Sequence, residues 1–97
     1  MNNIQYIKII ITGIVQGVSF RSFTKNAADN LNISGWVKNL PDGSVEALAI
    51  GAKKDIEKFI SELKTGPPTS RVDNIEIQEQ RPAGTKENQA GFHILRA

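Results

Sequence analysis

The chain has 97 residues, 39% of them hydrophobic, which fits one folded domain rather than a disordered segment or several domains. It has no cysteine and one histidine, His93, so disulfides, thiolate zinc sites, cysteine nucleophiles and multi-histidine metal sites are excluded. The net charge is +2 without a Lys/Arg-rich run, and the N-terminal apolar run is too short for a signal peptide or a membrane span. We therefore expect a cytoplasmic protein that binds neither nucleic acid nor membranes.

The first half of the chain predicts two strands with a helix between them. Residues 4–12, rich in Ile, indicate a buried strand that ends at Gly13. The helix begins after Ser19, its predicted N-cap, and carries an apolar stripe at spacings of three and four. The members of this stripe are Phe20, Phe23, Thr24, Ala27, Ala28 and Leu31. Residues 33–40 predict the second strand, and residues 41–43, Pro-Asp-Gly, predict a turn.

The second half predicts a returning strand, a second helix and further strands. Residues 44–50 alternate as a hairpin strand that stops at Gly51. The second helical stripe comprises Ala52, Ile56, Phe59, Ile60 and Leu63, and residues 66–68, Gly-Pro-Pro, end that helix. Val72, Ile75 and Ile77 indicate a fourth strand, residues 81–88 a polar loop, and residues 91–96 a short final strand.

The order of these elements is βαββαβ, with a possible short fifth strand. Because βαβ crossovers are right-handed, both helices are expected on one face of a mainly antiparallel sheet. This is an α+β, ferredoxin-like sandwich, formed by one domain over residues 1–97. The fold alone says little about function, since it hosts enzymes, RNA binders and ligand sensors.

The segment between the first strand and the first helix has the features of an anion site. Its residues are Gly13, Ile14, Val15, Gln16, Gly17, Val18 and Ser19. Glycines allow backbone N–H groups to converge, and a helix N-terminus adds unpaired N–H groups with partial positive charge. A plain tight connection between strand and helix has the same glycine pattern, so spacing alone leaves both interpretations open.

Arg21 favours the anion site. In the first turn of the helix, a cation opposes the helix dipole by about 0.3–1 kcal/mol, and a bound anion would reverse that penalty. The planar guanidinium also matches two phosphate oxygens, although a side chain extended into solvent is the alternative. Residues 1–40 carry four basic side chains and one acidic one, so the positive excess of the chain lies around this loop.

Asn39, at the end of the second strand, is a second candidate for the site. An Asn before a Pro-Asp-Gly turn is also common as simple turn chemistry, which is the alternative. Trp36 and the four Phe residues are expected in the core, and His93 is expected on the solvent side of the last strand.

Two segments carry a resemblance to a known family. Residues 11–21, ITGIVQGVSFR, and residues 35–39, GWVKN, followed by Gly43, Val45 and Gly51, resemble the two signatures of the acylphosphatase family. The similarity extends over essentially the whole chain. Leu40 replaces a residue that is polar in some members, and residues 92–97 lack the terminal aromatic of many relatives, which leaves the packing of the last strand open.

The resemblance implies hydrolysis of small acyl phosphates to a carboxylate and inorganic phosphate. It implies that the 13–19 backbone binds the phosphate, that Arg21 holds the same group and that Asn39 orients the attacking water. It further implies no metal, no cofactor and no phosphoenzyme, and we expect a monomer.

Two other functions remain as alternatives. One is a non-catalytic module of the same fold that binds phosphate, carbamoyl phosphate or a partner, as acylphosphatase-like domains do inside larger proteins. The chain starts and stops with the domain, which favours a free-standing enzyme. The other is an RNA-binding domain, which would need exposed aromatics and a basic Gly-Phe-like run that the sequence lacks.

Overall fold

The computed structural model describes residues 4–79 and 91–96, and these residues form five strands and two helices. The elements in chain order are β1 (Ile4–Ile14), α1 (Phe20–Asn30), β2 (Ser34–Asn39), β3 (Val45–Ala52), α2 (Lys53–Thr65), β4 (Arg71–Glu79) and β5 (Phe92–Ile94). This order confirms the predicted ferredoxin-like fold with its short fifth strand. The polar loop predicted at residues 81–88 lies outside the described residues. Neither helix, of 11 and 13 residues, is long enough to cross a membrane.

The strand order in the sheet is β4-β1-β3-β2-β5. Neighbouring strands are antiparallel except β2 and β5, which run parallel with Gly35 opposite Phe92. Because β3 is antiparallel to both β1 and β2, strands β1, β2 and β5 all point the same way. Their carboxyl ends, at Ile14, Asn39 and Ile94, therefore meet at one edge of the sheet.

The core lies between the sheet and the two helices. Ile9, Ile11 and Val37 from the sheet and Phe59 from α2 are fully buried there, and each contributes about 1.5–3 kcal/mol through burial. The rings of Phe59 and Phe92 meet edge to face, with centroids 6.0 Å apart. The last strand is thus packed into the core although the chain lacks a terminal aromatic residue.

The prediction that Trp36 belongs to this core is wrong. Gly35 and Val37 are buried on the helix-covered face, so strand alternation turns Trp36 to the opposite face, where it is only half-buried. The ammonium group of Lys38 lies 5.0 Å from the centre of its indole ring. His93 is exposed, as predicted.

Two glycines do not end strands as the sequence suggested. Strand β1 continues through Gly13 to Ile14 with a register shift after Thr12, and β3 continues through Gly51 to Ala52. Gly13 has φ 133°, and a Cβ there would overlap the carbonyl oxygen of Arg71. Its lack of a side chain permits close approach of two strands at an irregular pairing, and this does not stop the strand.

Candidate active site

A pocket of about 270 Å³ opens at the edge where β1, β2 and β5 end. The residues that line it are Val15, Gly17, Ser19, Phe20, Arg21, Ser22, Asn39, Ile94 and Arg96. The fold therefore brings Arg21, Asn39 and part of the glycine loop, which were singled out from the sequence, to one pocket. The lining contains two arginines and no acidic side chain, so the pocket is electropositive.

The predicted 13–19 segment divides into two parts. Gly13 and Ile14 belong to β1, whereas residues 15–19 form the loop that leads to α1, here called the site loop. Val15, Gly17 and Ser19 line the pocket, while Gln16 and Val18 do not. Among residues 4–79 and 91–96, no acceptor takes a hydrogen bond from the backbone N–H groups of residues 16–19. These groups are available to a ligand.

The site loop meets α1 without a side-chain cap. Ser19 occupies the N-cap position of the helix, as predicted, but its backbone is left-handed at φ 62° and its hydroxyl accepts no N–H of the first turn. An N-cap residue normally has an extended backbone, which directs its oxygen at those N–H groups. The first bond of the helix runs from the Phe23 N–H to the Ser19 carbonyl oxygen, 3.0 Å away. The N–H groups of residues 20–22 thus add to the donors beside the pocket.

Arg21 is half-buried, and no carboxylate neutralises it within the described ranges 4–79 and 91–96. Its Nη1 donates a long hydrogen bond of 3.4 Å to the carbonyl oxygen of Leu95. Asp29, the one acidic residue of α1, pairs instead with Lys25 at 2.8 Å. A free cation in the first turn opposes the helix dipole, which an anion in the pocket would offset.

Asn39 holds an unpaired polar atom beside the pocket. Its side-chain Oδ1 is buried and accepts no hydrogen bond from the described residues. Leaving such an atom unpaired costs about 1–3 kcal/mol, so a buried orphan acceptor calls for a ligand, a water or a catalytic role.

Gln16 has a role that the sequence did not indicate. Its side-chain Nε2 donates to the carbonyl oxygens of Leu40 and Ser44, each at 2.8 Å, and so ties the site loop to the turn after Asn39. Thr69 adds a second tie, from its hydroxyl to the Val18 carbonyl oxygen at 3.1 Å. Both acceptors of Gln16 are backbone atoms more than 20 residues away, so no local sequence pattern predicts these hydrogen bonds.

Arg96, Ile94 and Ser22 also line the pocket without having been singled out from the sequence. The topology explains two of them, because β5 is parallel to β2 and ends at the same edge. Within residues 4–79 and 91–96, no group of three or more His, Asp and Glu side chains is placed to hold a metal ion.

Comparison with known proteins identifies the family. The acylphosphatase family model matches residues 7–94, nearly the whole chain. The chain belongs to the acylphosphatase family. The acylphosphatase of Syntrophotalea carbinolica is 44% identical over 81 residues, which cover 84% of this chain and 88% of that relative. Both predicted signature segments fall within the matched region.

Solved structures of other proteins share the fold. The crystal structure of acylphosphatase from Bacillus subtilis superposes with a TM-score of 0.86 at 41% identity, covering 96% of this chain and 99% of that one. The crystal structure of T. kodakarensis HypF matches with a TM-score of 0.82 at 38% identity. There the match covers 98% of this chain but 12% of HypF, so a domain similar to this chain is a small part of that protein.

Proposed function

We propose that this protein hydrolyses acyl phosphates, with Arg21 and the backbone of the site loop holding the phosphate and Asn39 positioning the attacking water. The observation that carries the proposal is the shared pocket: Arg21, Asn39 and the site loop line one space of about 270 Å³. Among the described residues, Arg21 has no carboxylate partner, the backbone N–H groups of residues 16–19 have no acceptor, and the buried Oδ1 of Asn39 accepts no hydrogen bond. Membership of the acylphosphatase family supports the substrate class.

The phosphate is bound by charge and by fixed donors. The guanidinium of Arg21 donates two parallel hydrogen bonds to phosphate oxygens, and the N–H groups of the site loop and the first turn of α1 donate to the others. These donors are held by the fold before substrate arrives, so they need little reorganisation as negative charge develops on the equatorial oxygens. Holding water and phosphate in line supplies most of the remaining rate enhancement.

The reaction forms one bond to phosphorus and breaks one. The water oxygen attacks phosphorus, the bond between phosphorus and the acyl oxygen breaks, and its electron pair leaves with the carboxylate. A proton of the water passes to a phosphate oxygen, so the products are the carboxylate and dihydrogen phosphate. Since a carboxylic acid has a pKa of about 4, the leaving group needs no protonation, and no general acid is required.

The orphan oxygen of Asn39 favours a hydrolase over a module that only binds phosphate. An amide oxygen accepts hydrogen bonds and repels a phosphate oxygen, so it contributes nothing to anion binding. A water molecule, in contrast, satisfies that oxygen with one O–H and directs its lone pair at phosphorus. The amide is too weak a base to take the proton, and its role is geometric.

Phosphate release from benzoyl phosphate, measured with EDTA present, tests the proposal. The wild type should turn over without added metal, and Arg21→Ala and Asn39→Ala should each lower kcat/KM by about 100-fold or more. Arg21→Ala should be as stable as the wild type, or more stable by about 0.3–1 kcal/mol, because it removes a cation from the helix N-terminus.

The controls make the same changes at residues that do not line the pocket. Arg71→Ala removes an exposed arginine on β4, and Asn26→Ala removes an exposed asparagine on α1. Both controls should keep wild-type activity. No turnover by the wild type, with inorganic phosphate still bound, would favour the non-catalytic module, and full activity of Asn39→Ala would disprove the role of the amide.

A further inference from the structure

Arg96 reaches the pocket because the chain just before it is fixed at two points. The N–H of Leu95 donates to the carbonyl oxygen of Val37 at 2.8 Å, which extends the β2–β5 pairing by one residue. The carbonyl oxygen of Leu95 accepts from Arg21 at 3.4 Å. Ile94 and Arg96, two residues apart, both line the pocket. The last strand therefore contributes a second guanidinium to the site.

This second cation has no partner among the residues that the structure describes. Within residues 4–79 and 91–96, the ion pairs involve Lys8, Lys25, Lys38 and Arg71, and Arg96 makes neither an ion pair nor a hydrogen bond. The pocket lining offers it no carboxylate either. Two guanidinium groups at one pocket repel each other when it is empty, and both favour anionic ligands.

The pocket is larger than a phosphate group. At about 30 Å³ for each molecule in liquid water, its volume of about 270 Å³ equals that of about nine waters, while phosphate has five non-hydrogen atoms. Ile94 and Arg96 add an apolar and a cationic side chain to the lining of this space. Arg21 and the free N–H groups already satisfy the phosphate, so Arg96 is surplus to that function.

We propose that Arg96 binds a second anionic group on the acyl part of the substrate, and that this chain prefers acyl phosphates whose acyl group carries a carboxylate or another negative charge. The inference rests on the proposed hydrolysis of acyl phosphates. A guanidinium accepts a carboxylate through two parallel hydrogen bonds, which gives direction as well as charge. Ile94 contacts the carbon skeleton between the two anionic groups.

The test compares benzoyl phosphate with 3- and 4-carboxybenzoyl phosphate, whose ring carboxylates cannot reach the acyl carbon. We measure kcat/KM for each with the wild type, Arg96→Gln, Arg96→Lys and Lys54→Gln at about 0.15 M salt, where long-range fields are screened within about 8 Å. Lys54 is an exposed cation at the start of α2, so Lys54→Gln changes the net charge equally. Comparing the substrate ratio between variants cancels the effect of the ring carboxylate on leaving-group strength, because that effect is the same for every variant.

Arg96→Gln should lower the ratio of kcat/KM, carboxybenzoyl over benzoyl phosphate, by about five-fold for the better isomer. Arg96→Lys keeps the charge but not the two parallel donors of the guanidinium, so its ratio should lie between those of the wild type and Arg96→Gln. Lys54→Gln should keep the wild-type ratio. Equal losses with all substrates would mean that Arg96 only attracts phosphate, and would overturn the inference while leaving the hydrolase intact. No hydrolysis of benzoyl phosphate by the wild type would overturn both.

Discussion

The side-chain amide of Gln16 donates a 2.8 Å hydrogen bond to the carbonyl oxygen of Ser44, a residue 28 positions later in the chain. The same Nε2 donates to Leu40, also at 2.8 Å. Both carbonyls already have backbone donors, Leu40 N–H for Ser44 and Gly43 N–H for Leu40, so they do not need Gln16 to be satisfied. The amide instead fixes the distance between the site loop and the strand end that carries Asn39.

Gln16→Met removes both donors while keeping a side chain of similar length. We expect kcat/KM for benzoyl phosphate to fall by about ten-fold or more, since small misplacements of reacting groups cost up to about 100-fold. The free energy of unfolding should fall by about 1–2 kcal/mol, because no carbonyl is left without a donor. Steady-state kinetics and urea unfolding measure the two effects.

Gln78→Met is the matched control, because Gln78 is exposed on β4 and lies away from the pocket. It should leave both activity and stability at wild-type values. Wild-type kcat/KM in Gln16→Met would mean that the site loop and the Asn39 turn are held in place by other contacts.

Gly17 and Gly91 form a second matched pair. Their φ values are 75° and 80°, and a Cβ at either position would meet no atom within 4 Å. Alanine at either position should lower the free energy of unfolding by about 1–2 kcal/mol, because a left-handed backbone conformation disfavours any side chain. Only Gly17 lines the pocket, so Gly17→Ala should lose activity by about ten-fold or more as its methyl group narrows the phosphate site.

Gly91 lies at the opposite end of β5 from the pocket, and Gly91→Ala should keep wild-type kcat/KM. Thermal melts and benzoyl phosphate kinetics on both variants separate backbone strain from site geometry. Equal activity of the two variants would argue that Gly17 serves only the turn.

The hydrogen bonds of the Asp42 carboxylate should make part of the free energy of unfolding depend on pH in the acid range. The Ser44 hydroxyl and the Ser44 N–H both donate to its Oδ1, at 2.6 and 2.9 Å, and these bonds lower the pKa of Asp42 from 3.8. Because the folded pKa lies below the unfolded one, the stabilisation is present above about pH 4 and is lost as pH falls through the folded value.

The difference in unfolding free energy between the wild type and Asp42→Asn should therefore shrink between pH 7 and pH 3, as measured by urea unfolding. A difference that stays constant over this range would show that the Asp42 bonds are the same in the folded and unfolded chain. The ionised carboxylate of Asp42 would then make no contribution to the stability of the turn.

The sequence predicted the element order well because local signals were strong. Few other structures share the patterns of these elements, which are the Ile-rich β1, the apolar stripes of α1 and α2, and the Pro-Asp-Gly turn. Strand ends were less predictable, because Gly13 and Gly51 were expected to end their strands but lie within paired strands. A glycine is found where two strands approach closely as well as where a strand ends, and the two cases can be distinguished only when the pairing of the strand is known.

The site was predictable where its residues lie in compact segments, and not where they depend on distant partners. Arg21 was a candidate because of its position at a helix start, and Asn39 because of the family resemblance; both line the pocket. The contact of Gln16 with Leu40 and Ser44 depends on the pairing of three strands, and Arg96 reaches the pocket only because β5 runs parallel to β2. Neither relationship has a local signature.

We propose that Asn39 directs water at the phosphorus of a phosphate held by Arg21. Hydrolysis of benzoyl phosphate in water enriched in ¹⁸O, under single-turnover conditions, measures which atom the water attacks. We expect one ¹⁸O atom in the released phosphate and none in the benzoate. Label in the benzoate would mean attack at the acyl carbon and would contradict the roles given to both residues.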